Sequence, residues 1–226
     1  MQSSDTLWRV VPTYQRALSN FARHDRVKSP WVVPVVFSQQ AVDQLFPQYS
    51  AYVPPAFTVG GVVPSYLELL LGKDYVNRPI GIIAISSDIQ QAFNPIERKF
   101  IVAHEYSHIL MNHWPMVWLG TVGSGIVEST ISGIRDQGQR QLAYSIWSVV
   151  KQLAVVHFTK QSEVDADIHA VKLIKDRSAA LSTIAKLAQR YAGNDLNQPT
   201  HYAIVDGAIA GVLTYRERLN RILIGA

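Results

Sequence analysis

The chain is predicted to fold as a mostly helical α+β domain, and three observations predict it. One stretch, 80–86 (IGIIAIS), reads as a clear strand, with two shorter β-branched runs ahead of it. Helical periodicity covers nearly everything after residue 94. No internal repeat or low-complexity tract interrupts this pattern. The 226 residues, 48% hydrophobic and 17% charged, are enough for one substantial core. The expected organisation is a single unit, 1–226. It has an N-terminal helix and Pro-rich strands in 1–64, a central block in 80–176, and C-terminal helices in 179–226.

Residues 13–23 read as a helix with Tyr14, Leu18 and Phe21 on one face. From 29 to 64 proline, aromatic and β-branched residues dominate, and 31–37 and 56–63 read as short strands and turns. One or two helical turns follow at 65–71, and Pro79 opens the 80–86 strand. The next helix is signposted by Asn94 as cap, Pro95 at the first position and Glu97 closing a capping box. It is expected to run from Pro95 to about His113, ending before Pro115. Apolar helical stretches follow at 116–134 and 139–158, then a helix from Ser162 to about Asp176. Another covers 179–192, stopped by Gly193, and one or two helices fill 202–223. The 116–134 stretch approaches membrane-spanning length, but Glu128 and its Ser, Thr and Gly residues point to a buried or surface-lying helix. GAIAG at 207–211 suggests close helix packing.

Composition excludes several functions. The formal charge is +4, with no dense Lys/Arg block, so nucleic-acid binding has no footprint. The basic residues near both ends, including Arg16, Arg23, Arg216 and Arg221, read as a solvated face and are compatible with association at a membrane surface. Arg9, Pro12 and Arg16 break the first apolar stretch, so no signal peptide is read. The default expectation is a cytoplasmic protein, periplasmic or membrane-associated if a leader has been removed. There is no cysteine, which excludes disulfides, thiolate metal sites and a cysteine nucleophile. Any metal must be held by His, Asp or Glu.

His104-Glu105-Tyr106-Ser107-His108 is an HExxH motif. Two His four positions apart lie one above the other on a helix, so both imidazoles reach one metal, and Glu105 is placed to take a proton from the attacking water. Seven His and six Glu in this chain give about 0.006 such motifs by chance. A catalytic zinc takes three protein ligands and keeps one position open. His113, five positions after His108, is rotated about 140° around a continuing helix and reads as a helix-end residue beside the dipole. Glu163 is the better third ligand, placed near a helix start by a Ser162/Asp165 capping box. Asp167, four residues on, shares its face and suits the carboxylate that orients a metal-bound His. Glu128 and His201 are the next candidates should Glu163 fail. His157 and His169 fall on other faces and read as structural.

HExxH followed some fifty residues later by ExxAD resembles the HtpX-like and CAAX-prenyl-protease-type gluzincins, a group that includes Oma-type and BepA-like peptidases. The matching segments are AHEYSHILMNH (103–113) and EVDAD (163–167), and the resemblance covers about 80–176. It implies a zincin-like metallopeptidase fold with an active-site helix and a small sheet. It also implies one Zn2+ per chain on His104, His108 and Glu163, Glu105 as general base, Asp167 in support and a polypeptide substrate. In some members the two helices between the motifs span the membrane. The family often adds a His-Pro and a later Arg lining the site. Here Thr200-His201-Tyr202 lacks the proline and RERLNRI (216–222) lies much further on, so the match to this part of the pattern is incomplete, and the resemblance implies His201 as transition-state stabiliser and Arg218 as site arginine only as candidates. A second resemblance, to ImmA/IrrE-type gluzincins, fits 98–110 well, and fits the spacing to Glu163 and the ExxAD ending less well.

The expected chemistry is peptide-bond hydrolysis, with the substrate added as a strand along 80–86. The competing expectations are a regulatory protease of the second family, a non-catalytic binding protein stabilised by metal, and a membrane-surface interaction protein.

Overall fold

The structure is a computed structural model describing residues 8–38, 55–205 and 208–225; part of the expected Pro-rich region, 39–54, lies outside the described residues. Strand β1 (Trp8–Val10) leads into α1 (Pro12–His24), which begins on a proline whose missing N–H has no partner to lose in a first turn. Strands β2 (Trp31–Phe37), β3 (Ala56–Val62) and β4 (Pro79–Ser86) follow, with a single-turn helix α2 (Glu68–Leu71) between the last two. They form one sheet in the order β1-β2-β4-β3, with β2 and β4 parallel and the other pairs antiparallel.

This order corrects one expectation. Strand β4 is paired on both sides, with Ile82 opposite Val33 of β2 and Val59 of β3. It offers no edge to a peptide, because its N–H and C=O groups are already committed. Among the described residues the edge beside it is β3.

Gly60 and Gly81 face each other across β3 and β4. A Cβ on Gly60, at φ 155°, would fall 2.2 Å from Ile80 O. A Cβ on Gly81 would fall 3.2 Å from Ile109 Cδ1. The missing side chain of Gly60 lets β3 lie against the β4 backbone, and that of Gly81 also leaves room for Ile109 of the following helix.

That helix, α4 (Pro95–Leu110), comes after the short α3 (Ser87–Ala92). Its capping box is complete: Asn94 Oδ1 accepts from the Ile96 and Glu97 amides at 3.0 Å, and Glu97 Oε2 accepts from the Asn94 amide at 2.9 Å. It ends three residues before His113, because Asn112 turns left-handed at φ 56°. Helix α5 (His113–Ser132) starts there, with Pro115 in its first turn, where a proline is tolerated.

The helices expected at 139–158 and from Ser162 are one 38-residue helix, α6 (Gln137–Ile174). No proline breaks this span, and its only glycine is Gly138 in the first turn. Ser162 Oγ donates back to Thr159 O at 2.9 Å instead of capping a new helix. Glu163 therefore sits inside a long helix and not at a helix start. Asp176 caps α7 (Arg177–Tyr191) by accepting from the Ala179 amide at 2.9 Å.

The expected helices over 202–223 are half corrected. Strands β5 (Pro199–Val205) and β6 (Ala208–Thr214) form an antiparallel pair, and only α8 (Tyr215–Gly225) is helical. The GAIAG segment lies mostly in β6, and a Cβ on Gly211 would fall 2.4 Å from Pro199 Cγ, so its small residue serves strand approach. The hairpin signal was legible: Asp206-Gly207 sits between β-branched runs.

The core joins α1 (Leu18, Phe21), β4 (Ile83, Ile85), α4 (Phe100, Tyr106, Ile109), α6 (Ala170, Val171, Ile174), α7 (Ile184) and α8 (Ile222). Helix α4 thus packs on β3 and β4, and α6 packs beside α4 and against β5 and β6. Among the described residues no helix is long and apolar enough to cross a membrane.

Candidate metal centre

Helix α4 presents His104 and His108 one turn apart, and α6 brings Glu163 against them. His104 Nε2 lies 3.1 Å from His108 Nε2 and 3.2 Å from Glu163 Oε2, while His108 Nε2 lies 3.3 Å from Glu163 Oε1. Tetrahedral zinc with bonds of about 2.0–2.1 Å sets its ligand atoms about 3.3 Å apart. The three side chains stand close to such separations, each imidazole nitrogen meeting a different oxygen of the Glu163 carboxylate, and they can hold a metal ion.

Charge fits a cation as well. Glu105, Glu163 and Asp167 are buried together, and the buried cation opposite them is Arg218. Burial alone would lower the His104 pKa, but Asp167 and Glu163 outweigh it and raise it to about 10. The site is short of positive charge. Burial is the main cause that raises Glu105, to about 7, with Glu163 adding to it against the pull of His104.

Asp167, fully buried and four residues beyond Glu163 on α6, places Oδ1 2.9 Å from His104 Nδ1. What periodicity leaves open is who holds Asp167. Arg218 of α8 donates from Nε to Oδ2 at 2.7 Å and from a terminal nitrogen to Oδ1 at 2.5 Å. Burial would raise the Asp167 pKa, but Arg218 and His104 outweigh it and keep the carboxyl well below its usual range.

His113 needs correction. It does not point away from the site. Its Nδ1 lies 2.8 Å from His108 Nδ1, so it holds the ring nitrogen of His108 opposite the triangle. The helical-wheel rotation fails because α4 stops at Leu110, and the left-handed Asn112 swings the chain back. The Asn112 side chain also accepts from the Val62 amide at 2.6 Å, tying the edge strand to the end of the metal helix.

Other expected residues fall as follows. His201 lies in β5 by its backbone, with its side chain outside the described residues. Glu128 bonds Lys151 and Ser124 on the α5–α6 hairpin, apart from the metal-binding group. Asp165 accepts from Gln161 and caps nothing. His169 lies outside the ligand group and contacts Ser107 and Asp25. A cleft of about 50 Å³ opens on the site, lined by Ile89, Phe100, Ile101 and Leu187 together with His104, Glu105 and Arg218.

The model of Peptidase family M48 matches residues 75–213, more than half of the chain. Protease HtpX from two strains of Xanthomonas oryzae pv. oryzae, MAFF 311018 and KACC10331 / KXO85, is 23% identical over 153 residues. That alignment covers 59% of this chain and 52% of each relative, so the chain spans about half the length of the curated relatives it matches. No solved structure matches. The family match covers both HExxH and ExxAD and favours the first of the two resemblances: the chain belongs to peptidase family M48 and is HtpX-like.

Proposed function

We propose that this chain is a zinc-dependent endopeptidase in which His104, His108 and Glu163 hold one Zn2+ and Glu105 is the general base. The observation that carries the reading is the 3.1–3.3 Å triangle of two imidazole nitrogens and one carboxylate, with a second buried carboxylate, Glu105, next to it in sequence. Two His and one Glu are a known ligand set for catalytic zinc. When bound, the zinc supplies a Lewis acid that polarises the scissile carbonyl and lowers the pKa of water towards 7.

The chain's own residues do the rest. Asp167, clamped by Arg218, holds the His104 ring so that Nε2 faces the ligand triangle. His113 does the same for His108. The Glu105 carboxylate takes a proton during attack and returns it to the leaving amine. Burial, the main cause, raises its pKa to about 7 when no metal shares the site, which makes it a better proton acceptor than an ordinary carboxylate. The polypeptide substrate lies extended along β3, whose Ala56 lines the same cleft as Glu105. His201, carried on β5, is the candidate transition-state stabiliser. The name of the relatives, Protease HtpX, supports the peptidase reading.

Glu105→Gln tests the mechanism. It keeps size, shape and all three ligands, so zinc content and melting temperature stay at the parent's values. Casein hydrolysis falls by at least the ~10²–10⁴-fold that a general base contributes. Equal cleavage by parent and variant would refute the assignment. A binding protein that merely keeps a metal gives Glu105 no task, and it would show no loss of function in this variant.

A further inference from the structure

A second polar array, partly buried, joins α4, α6 and the end of α1. Ser107 Oγ lies 2.8 Å from His169 Nδ1, and His169 Nε2 lies 3.2 Å from Asp25 Oδ1. Ser107 is fully buried, and its one hydroxyl proton goes to Ala103 O at 2.7 Å, so towards His169 its oxygen is the acceptor. Asp25 ends α1, its amide bonding Phe21 O at 2.9 Å, and its Oδ2 is buried with no partner among the described residues. The order Ser–His–Asp is that of a hydrolytic triad. No carbonyl can reach Ser107, however, so the array cannot act as a nucleophile.

Its position points to another task. Ser107 is the residue before His108, and His169 lies six residues beyond Glu163 on α6. The array is therefore a cross-link between the two helices that carry the ligands. Apolar packing alone is non-directional and tolerates small slides. A hydrogen bond weakens steeply with distance and angle, and so resists them. Asp25 belongs to α1, which lies outside the 75–213 family match, so this anchor comes from the chain's own N-terminal region.

We infer that Asp25, His169 and Ser107 are positioning residues, a pin that fixes α6 against α4 so that the three ligand atoms stand ready for the metal. The inference rests on the metal-site reading. Without the pin, a slide between the helices opens the 3.1–3.3 Å triangle.

The test measures zinc affinity by chelator competition at a temperature where every variant is folded. Asp25→Ala, His169→Ala and Ser107→Ala are each expected to bind zinc about 10- to 100-fold more weakly, as other outer-shell losses do. Ser107→Ala removes a single hydroxyl and serves if the larger changes disturb folding. His169→Gln keeps a donor and an acceptor and should recover most of the affinity. Leu18→Ala, a core truncation in α1, destabilises without touching the array and should leave affinity at the parent value. Parent-like affinity in all three array variants, or an equal loss in Leu18→Ala, overturns the pin.

A parent that retains no zinc would instead overturn the metal-site reading. Amide hydrogen exchange of the metal-free protein then decides the pin alone. Exchange at 103–108 and 163–170 should quicken in the array variants beyond that in Leu18→Ala. Exchange no faster than in Leu18→Ala overturns it.

Discussion

His104 carries three relationships on one ring. Nε2 faces His108 and Glu163, and Nδ1 faces Asp167, which Arg218 in turn grips with two hydrogen bonds. This chain sets the order of expected losses. Glu163→Ala removes one of the three proposed ligands, and two ligands rarely hold zinc, so metal retention through gel filtration should fall well below one per chain. Asp167→Ala leaves every ligand in place but frees the ring, so affinity should fall by about 10- to 100-fold. His113→Ala belongs with Asp167→Ala, because each removes the group holding one ligand ring. Zinc affinity equal to the parent's would take His113 out of the site. The two His and Glu105 were legible because a helix makes positions i and i+4 neighbours whatever the surroundings. Asp167 was legible for the same reason on α6. His113 was not, because its position depends on where α4 ends, and a left-handed asparagine is hard to tell from a helical one in sequence.

Helix α4 is held at its start by a carboxylate with two duties. Glu97 closes the capping box and also accepts from Ser182 Oγ at 2.7 Å and Lys186 Nζ at 2.8 Å on α7. Burial would raise its pKa, but Lys186, Ser182 and the Asn94 amide outweigh this and lower it below the ordinary 4.5. A depressed carboxyl pKa means stabilisation that is full above the unfolded value and is lost as pH falls through the folded one. Glu97→Gln should therefore cost about 1–3 kcal/mol near pH 7. The gap to the parent should close as pH drops below about 4.5 in urea-unfolding series. A gap that stays constant with pH would mean that the charge contributes nothing and that only the cap geometry matters. The capping box was plain in sequence because its residues are local. The unity of α6 was not, because Ser162 and Asp165 mimic a start signal, and only the surrounding helix shows that Ser162 bonds backwards. Pairing of β5 with β6 was hidden by small residues that fit either state, although the Asp-Gly dipeptide at 206–207 is a hairpin signal in sequence.

The molecule as a whole separates what folds it from what works in it. The core residues of α1, β4, α4, α6, α7 and α8 are apolar and need no metal to pack. The three acidic groups near the ligands, by contrast, face one buried arginine, and the His104 pKa rises to about 10 when no metal shares the site. Metal-free protein should accordingly be folded, with a native far-ultraviolet spectrum, but less stable. Zinc at 100 times its dissociation constant adds about 2.7 kcal/mol by mass action. For a chain of this size each kcal/mol moves the melting temperature by about 2–4 °C, so chelation should lower it by roughly 5–10 °C. Returning zinc should restore it in the parent and in Glu105→Gln, and should fail to do so in His104→Ala. Unfolding at 25 °C on chelation would make the ion a structural element like that of a zinc finger. An unchanged melting temperature would mean that the ligand triangle binds no metal tightly. The intermediate outcome is the one that a preformed catalytic site on an independent core demands, because there the metal adds to a fold that already exists.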